Sequence, residues 1–253
     1  MHPTLYGRLN APAVTIVGTW DPFLPNHQEL CEALVRDAHA RGLAAAAILL
    51  HPSPKRFLFG AEHAPVYDDI HARIWRMHQC GIDAVLKLRM FNRDIDLGAV
   101  EFFDVVTRAL EVDELWLGAR QSLGRWTAGS QLTITEQAQR HAIRLRILPD
   151  PPKDPRPPRR SVERLLASGQ IAEAIDEVGH PPIWRRPRSG RLHLAWQPGV
   201  YETAPLSDLG APLSGARLRV TLAADKTVPV LDWPDADARF LAFVSGPSDA
   251  AAA

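Results

Sequence analysis

The chain has 253 residues, 46% of them hydrophobic and 23% charged, which is enough for one α/β domain of ordinary size and a small second module. Lys and Arg together number 29, as do Asp and Glu, and this balance excludes a global field that would attract nucleic acid or an anionic membrane. Two cysteines without a C-x-x-C pair exclude a disulfide scaffold, and the lack of a leader pattern or a long apolar run predicts a cytoplasmic protein.

The first part of the chain alternates short apolar runs with amphipathic segments, which is typical of βαβ units. Residues 13–18 predict a buried strand, residues 27–41 a helix and residues 43–50 the next strand. The same alternation then predicts a helix over 67–79, a strand over 83–88, a helix over 99–110, a strand over 114–117, a helix over 131–141 and a strand over 143–148. Five strands separated by helices indicate a doubly wound, five-stranded parallel sheet.

A proline-rich stretch, residues 149–158, follows the last of these strands and cannot continue a helix or a central strand. Two short helices are predicted after it. Beyond residue 190, short apolar runs separated by Pro, Gly and Asp predict strands. The expected organisation is an α/β domain over residues 1–182, a linker over 183–190 and a small β module over 191–253.

The loop between the first strand and the first helix reads Gly18-Thr19-Trp20-Asp21-Pro22-Phe23-Leu24-Pro25-Asn26-His27. A strand that enters a helix through a tight loop favours phosphate, because the first N–H groups of the helix are unpaired and its dipole is positive there. The loop resembles the signature of the cytidylyltransferase-like superfamily, Gly-(Ser/Thr)-Phe-Asp-Pro-x-(His/Thr)-x-Gly-His. The matching residues are Gly18, Thr19, Asp21, Pro22 and His27, with Trp20 in place of Phe.

Later segments are similar to the adenylyltransferase half of bacterial bifunctional riboflavin kinase/FAD synthetases. They are residues 81–86, the Glu-Phe-Phe at 101–103, the Gly-rich stretch 118–129 and residues 166–171. This resemblance covers residues 13–182 and implies a Rossmann-like nucleotidyltransferase fold of the HUP type. It also implies that FMN attacks the α-phosphorus of ATP and that pyrophosphate leaves, with Mg²⁺ as cofactor and FMN or FAD as the flavin ligand. The acidic pair Asp68-Asp69 is predicted to cap a helix rather than to hold a metal.

The resemblance also assigns roles to individual residues. His27 and Asp21 fall in the catalytic loop, and Gly18, Thr19, Trp20, Leu24 and Asn26 fall on the nucleotide side. Gly118, Arg120, Arg125 and Trp126 fall in the Gly-rich flavin loop, where the Trp is either a platform for the isoalloxazine ring or part of an ordinary turn. Arg160, Ser161 and Arg164 stand where the family has Ser-Ser-Thr-x-x-Arg, so they either cover the triphosphate or form a solvated surface.

Two positions depart from the superfamily signature. Leu24 replaces the His or Thr that donates to phosphate, and Asn26 replaces the Gly over which the nucleotide packs. Because Asn is a favoured N-cap, Asn26 either obstructs the adenosine or caps the helix. The chain is therefore predicted to be an FMN adenylyltransferase, a degenerate homologue that binds a flavin or nucleotide, or an enzyme of altered chemistry on the same fold.

The C-terminal module stands where the family has a riboflavin kinase barrel. Residues 196–201 are similar to that barrel's Pro-x-Gly-Val-Tyr strand, but the module is short and the sequence has no Gly-x-Pro-Thr-Ala-Asn motif. We therefore predict no kinase activity. Besides a nucleotide or flavin ligand, the expected partner is a second copy or another protein bound through this module.

Overall fold

The structure, a computed structural model, describes residues 2–53, 65–89, 98–119, 121, 123, 131–149, 159–212, 217–224, 229–234 and 237–247. The chain forms two compact units. The first comprises residues 1–20, 26–62 and 76–153, and the second comprises residues 21–25, 63–75 and 154–253.

A six-stranded sheet forms the basis of the first unit. Its strands are β1 (His2–Gly7), β2 (Ala13–Gly18), β3 (Ala44–His51), β4 (Ala84–Arg89), β5 (Val112–Gly118) and β6 (Arg144–Leu148). Their order is β1-β4-β3-β2-β5-β6, in which β2 to β6 run parallel and β1 pairs antiparallel with β4. The doubly wound parallel sheet of five strands is therefore confirmed, with a sixth strand added at its edge.

The added strand, β1, is not predicted by the sequence pattern. Its residues form no continuous apolar run, and Leu5 is 41% exposed although it stands opposite Leu86 in the ladder. An edge strand pairs with only one neighbour and is covered on only part of its surface. Its sequence therefore lacks the continuous apolar run by which a central strand is recognised.

Among the residues that the structure describes, four helices alternate with the strands of this sheet along the chain: α1 (Pro25–Ala40), α2 (Ile70–Gln79), α3 (Ala99–Ala109) and α4 (Gln131–Arg140). Helix α1 begins two residues before its predicted start, since Pro25 suits the first helical position, where its missing N–H is not needed. Asn26 therefore lies inside the first turn, and the prediction that it caps the helix is wrong. The helix ends before Gly42, whose φ of 68° stops it.

The main core of the first unit lies where α3 and α4 cover the sheet. Phe102, Phe103 and Val106 of α3 and Ile134 of α4 pack there against apolar residues of the strands. Helix α1 contributes Cys31, Leu34 and Ala38 as buried residues. Because both faces are covered, β3 is buried from Ala44 to Leu50, which explains its unbroken apolar run.

The described part of the second unit combines two helices with an antiparallel sheet. The helices are α5 (Arg159–Ala167) and α6 (Ile171–Val178). The strands are β7 (Ile183–Arg185), β8 (Arg191–His193), β9 (Gly199–Asp208), β10 (Ala211–Pro212), β11 (Leu218–Ala223), β12 (Val230–Asp232) and β13 (Phe240–Ser245). Their order is β7-β13-β9-β11-β12-β8, and β10 pairs with β9.

The units divide the chain elsewhere than at the predicted linker of residues 183–190. Strand β7 lies in that segment and pairs with β13. The apolar faces of α5 and α6 are also buried with the β strands, in one core that includes Val162, Leu166, Ile171, Trp196, Tyr201 and Phe243. The helices belong to the second unit because amphipathic segments this short gain their stability from the surface that they cover.

Candidate functional site

The crevice expected in a doubly wound sheet lies where the strand order reverses, outside the carboxyl ends of the strands. In the first unit this point falls between β2 and β5, which pair as far as Ile16 and Trp116. Gly18 ends β2 and Gly118 ends β5. The structure thus brings two of the predicted site residues to adjacent strand ends: Gly18, which begins the signature loop, and Gly118, which begins the Gly-rich stretch.

Gln121 joins these two strand ends, and the sequence analysis missed it. Its Nε2 donates to the carbonyl oxygen of Val17 at 3.0 Å, and its Oε1 accepts from the N–H of Gly118 at 3.3 Å. The sequence signal that would have found it is its position in the loop directly after β5, where such sheets place ligand-binding residues.

Trp20 connects the end of β2 to the start of α1. Its side chain is 5% exposed, and its ring meets that of His27 edge-on, with 5.3 Å between centroids and 81° between planes. The indole also lies against Gly18, because a Cβ added to that glycine would stand 2.9 Å from Trp20 Cε2. Thr19, between them, is half-buried. Gly18, Trp20 and His27 are therefore one packed group.

The first turn of α1 contains Pro25, Asn26 and His27 and no acidic residue. Asn26 and His27 are both half-buried. The positive end of the helix dipole is thus not neutralised by a carboxylate of that turn, which suits a phosphate ligand. Whether the Asn26 side chain obstructs an adenosine stays a prediction.

Asp21 anchors the next part of the loop within the second unit. Its Oδ1 accepts hydrogen bonds from the backbone N–H of Tyr67 at 3.0 Å and of Asp68 at 3.2 Å, and the residue is 5% exposed. A carboxylate used in this way fixes the backbone around it. Its catalytic role stays a prediction.

A second anchor in the same unit holds Phe23. The carbonyl oxygen of Phe23 lies 2.9 Å from Nε2 of His180, while the hydroxyl of Tyr67 donates to the carbonyl oxygen of His180. The rings of Tyr67 and His180 meet edge-on at 5.6 Å. Residues 21–25 are thereby tied to two distant segments of the second unit.

Leu24 packs against the apolar core of the second unit. This contact gives a physical reason for an apolar residue at the position where the superfamily has His or Thr. Even partial burial of a Leu side chain is favourable, at about 25 cal/mol for each Å² of apolar surface, whereas a hydroxyl or imidazole in the same contact would need a hydrogen-bond partner.

The remaining predicted site residues fall in several places. Arg164 is exposed on α5, in the second unit. Arg160 and Ser161 belong to the same helix, but their side chains lie outside the described part of the structure. Arg120, Arg125 and Trp126 lie outside the described residues altogether. Within the first unit, the structure therefore brings together Gly18, Thr19, Trp20, His27 and Gly118.

Three titratable groups near these elements have shifted pKa values: the two cysteines and Asp69. A hydrogen bond with Cys80, together with burial, raises the pKa of the Cys31 thiol, which lies one helical turn after His27. The same hydrogen bond lowers the pKa of Cys80. In the second unit, burial raises the pKa of Asp69, although its Oδ1 accepts the N–H of His71 at 2.7 Å at the start of α2.

The described residues include no helix that is long and apolar enough to cross a membrane. In the same part of the chain, no three or more His, Cys, Asp or Glu side chains are grouped as metal ligands would be.

Comparisons with known proteins agree with this geometry. Among solved structures, the chain is similar to the one titled "Crystal Structure of Macrolide-efflux Protein from Streptococcus pneumoniae", at 17% identity and a TM-score of 0.60, over 93% of this chain and 85% of that one. At this identity the likeness shows the fold alone. No curated protein sequence matches. The family described as FAD synthetase matches residues 8–154, more than half of the chain. The chain therefore belongs to the FAD synthetase family, with its Rossmann-like nucleotidyltransferase fold.

Proposed function

We propose that the protein transfers the adenylyl group of ATP to FMN, or to a related phosphorylated acceptor, and releases pyrophosphate. The observation that carries this proposal is the packed group of Gly18, Trp20 and His27 at the carboxyl end of β2. It sets an imidazole and a helix N-terminus at the reversal point of a sheet whose family performs nucleotidyl transfer.

The reaction joins a phosphate oxygen of FMN to the α-phosphorus of ATP and breaks the bond from that phosphorus to the oxygen that bridges the α- and β-phosphates, so that pyrophosphate leaves with this oxygen. The enzyme's part is to align the two substrates and to stabilise the charge that develops on the phosphate oxygens. We assign the second task to His27 and to the N–H groups of the first turn of α1. Mg²⁺, carried on the triphosphate oxygens, would reduce their charge, and we assign no step to it.

A second candidate is a homologue that binds flavin or nucleotide without turnover. The contact that favours it is the packing of Leu24 in the core of the second unit, where the superfamily uses a phosphate donor. Loss of one such donor lowers the rate by about 10²–10³, so the usual route would be slowed even with the rest of the site intact. An altered chemistry on the same fold is the third outcome of the test.

The test is to incubate the purified protein with ATP, Mg²⁺ and FMN and to measure FAD and pyrophosphate. Equal amounts of the two products, and their loss in His27→Gln, are the expected result. No product with any of the four nucleoside triphosphates would overturn the proposal of adenylyl transfer. A thermal shift with FMN, FAD or ATP in that case would support the binding protein.

We also propose that the protein works in the cytoplasm, where ATP is supplied, and that nucleic acid and membranes are not its partners. The balance of 29 basic and 29 acidic side chains supports this assignment. We further propose that the C-terminal module binds a second copy of the chain or another protein. Sedimentation of the full chain, which measures the mass of the particle in solution, tests self-association.

A further inference from the structure

The side chain of Gln121 joins β2 and β5 by two hydrogen bonds, in the place of a backbone hydrogen bond of the sheet. The pairing of β2 with β5 extends to Ile16 and Trp116, and the strands then lead into their separate glycine turns. One residue further along, Val17 offers a carbonyl oxygen that accepts from Gln121 Nε2 at 3.0 Å. On the other strand, Gly118 offers an N–H that donates to Gln121 Oε1 at 3.3 Å. The carboxamide therefore bridges the two strands where their backbones part.

The local backbone holds this bridge in position. The N–H of Gln121 donates to the carbonyl oxygen of Gly118 at 2.9 Å, which closes a tight turn directly after β5. From this turn the side chain reaches back to β2, and Gln121 is half-buried. Because this hydrogen bond already fixes the backbone at Gln121, forming the bridge costs only the rotamer freedom of the side chain.

A carboxamide is the side-chain group that fits these two partners. It presents a carbonyl acceptor and an N–H donor side by side, matching the N–H of Gly118 and the carbonyl of Val17. A carboxylate has no donor and would repel the Val17 carbonyl. A leucine would leave both strand-end groups without this partner, and a buried polar group that stays unpaired destabilises the fold.

We propose that Gln121 is a positioning residue that sets the distance between the Gly18 turn and the Gly118 turn and thereby preorganises the nucleotide site. This inference rests on the proposed function for the location of the ligand. Its physical basis is preorganisation. If the Gly18 and Gly118 turns already stand at the right distance, no part of the ligand's binding free energy is needed to order them. Gln121 acts through the two turns and need not touch the ligand.

The test compares the affinities of wild type and Gln121→Glu for ATP and for FMN, each measured by calorimetry at pH 8 and at pH 4, below the ordinary glutamate pKa of about 4.3. At pH 8 the carboxylate breaks the bond to Val17, and we expect the variant to bind about tenfold more weakly than wild type, the effect of one such hydrogen bond. When the introduced carboxylate takes up a proton, its O–H donates to Val17 and its carbonyl accepts from Gly118. The ratio of the wild-type and variant affinities should therefore return toward one at pH 4.

Two variants serve as controls. Gln139→Glu adds the same charge to an exposed position of α4, near the amino ends of the strands, and should bind as wild type does at both pH values. Gln121→Leu should bind weakly at both pH values, because it cannot be rescued by a proton. If the leucine variant does not fold, the comparison with Gln121→Glu still decides the matter, since Glu and Gln have the same shape.

The outcomes separate this inference from the proposed function. Recovery of affinity at low pH in Gln121→Glu supports the positioning role even when no FAD is formed, in which case adenylyl transfer alone is overturned. Equal affinities of wild type and Gln121→Glu at both pH values overturn the positioning role, whether or not FAD is formed. A deficit in Gln121→Glu that persists at pH 4, or failure of wild type to bind either ligand, also overturns it.

Discussion

The rings of Trp20 and His27 meet edge-on, with 5.3 Å between their centroids, and this contact spans the loop between β2 and α1. The positive edge of one aromatic ring against the face of another is a favourable arrangement, worth about 0.5–1.5 kcal/mol beyond the buried area. It connects the end of β2 with the first turn of α1 across the loop. The imidazole assigned to phosphate is therefore held by an aromatic neighbour.

Gly18→Ala should disturb this contact. The new Cβ would lie 2.9 Å from Trp20 Cε2, so the indole must move and His27 loses its support. We expect a loss of about 1–3 kcal/mol in the free energy of unfolding, as for other overpacked sites, and at least tenfold slower FAD formation. The double variant Gly18→Ala/Trp20→Phe should recover part of both losses, because the smaller ring leaves room for the methyl group. Urea unfolding and initial rates measure the two effects, and no recovery in the double variant would contradict this explanation.

His27→Gln should lower the rate of FAD formation by about 10²–10³ with little change in the midpoint of thermal unfolding. The matched control is His39→Gln at the other end of the same helix, where the imidazole is half exposed and lies 2.9 Å from Asp83. That surface contact contributes about 0–1 kcal/mol to stability and is remote from the strand carboxyl ends. Equal rates in the two variants would show that His27 does not act on the reaction.

The fold of the first unit was predictable because burial on both faces of a parallel strand leaves a continuous apolar run, as in residues 44–50. The division of the chain was not. Strand β7 has only three residues, and the burial of α5 and α6 depends on strands that follow later in the chain. The sequence shows that these helices are amphipathic, but it does not show which surface they cover.

The site was predictable where one local motif carries it, from Gly18 to His27. The anchors of that motif were not, because they come from distant parts of the chain. Tyr67 is 46 residues from Asp21, and His180 is 157 residues from Phe23. The packing of Leu24 likewise requires knowledge of the second core. The sequence shows that Leu24 replaces the His or Thr of the superfamily, but only the fold gives the physical reason for this replacement.

Asp21→Ala should destabilise the second unit through two backbone groups. The N–H groups of Tyr67 and Asp68 lose their acceptor in a buried environment, and each such loss costs about 1–3 kcal/mol. Hydrogen exchange of these two amides should accelerate. Asp21→Asn keeps an acceptor oxygen and should show a smaller effect. Asp176→Ala, an exposed position on α6, is the control. Unchanged exchange at both amides in Asp21→Ala would contradict the anchoring role.

Asp69→Asn should change how the stability of the protein depends on pH. Burial raises the pKa of Asp69 above its ordinary value of 3.8, despite the opposing effects of the His71 N–H and of the charges of His71 and Arg73. The folded protein therefore holds this proton more tightly than the unfolded chain, and the free energy of unfolding falls as pH rises from about 3.8 through the raised pKa. Asn keeps an acceptor for the N–H of His71 and carries no charge.

The expected result is that Asp69→Asn is more stable than wild type at pH 7 and that the difference shrinks toward zero below pH 3.8. Urea unfolding at a series of pH values measures it. The charges that act on Asp69 are those of Asp68, His71 and Arg73. A variant less stable than wild type at pH 7 would mean that the attraction of His71 and Arg73 outweighs burial.

Cys80 should react with iodoacetamide faster than Cys31. The Cys31 S–H donates to the Cys80 sulfur and lowers the pKa of Cys80, so more of that thiol is the reactive thiolate at pH 8, and Cys80 is only half-buried. Cys31 is 0% exposed and has a raised pKa. Removing the donor in Cys31→Ala should slow the labelling of Cys80 several-fold, and Cys31→Ser, which keeps an O–H donor, should restore much of the rate. Mass spectrometry of the labelled peptides follows each thiol separately.

The two variants also control for a change in helix packing. The side chain of Val35, one turn after Cys31, packs against Gly81, so a shift of this helix would alter access to Cys80. Such a shift would affect the Ser and Ala variants alike. Equal slowing in both variants would therefore contradict the hydrogen bond as the cause.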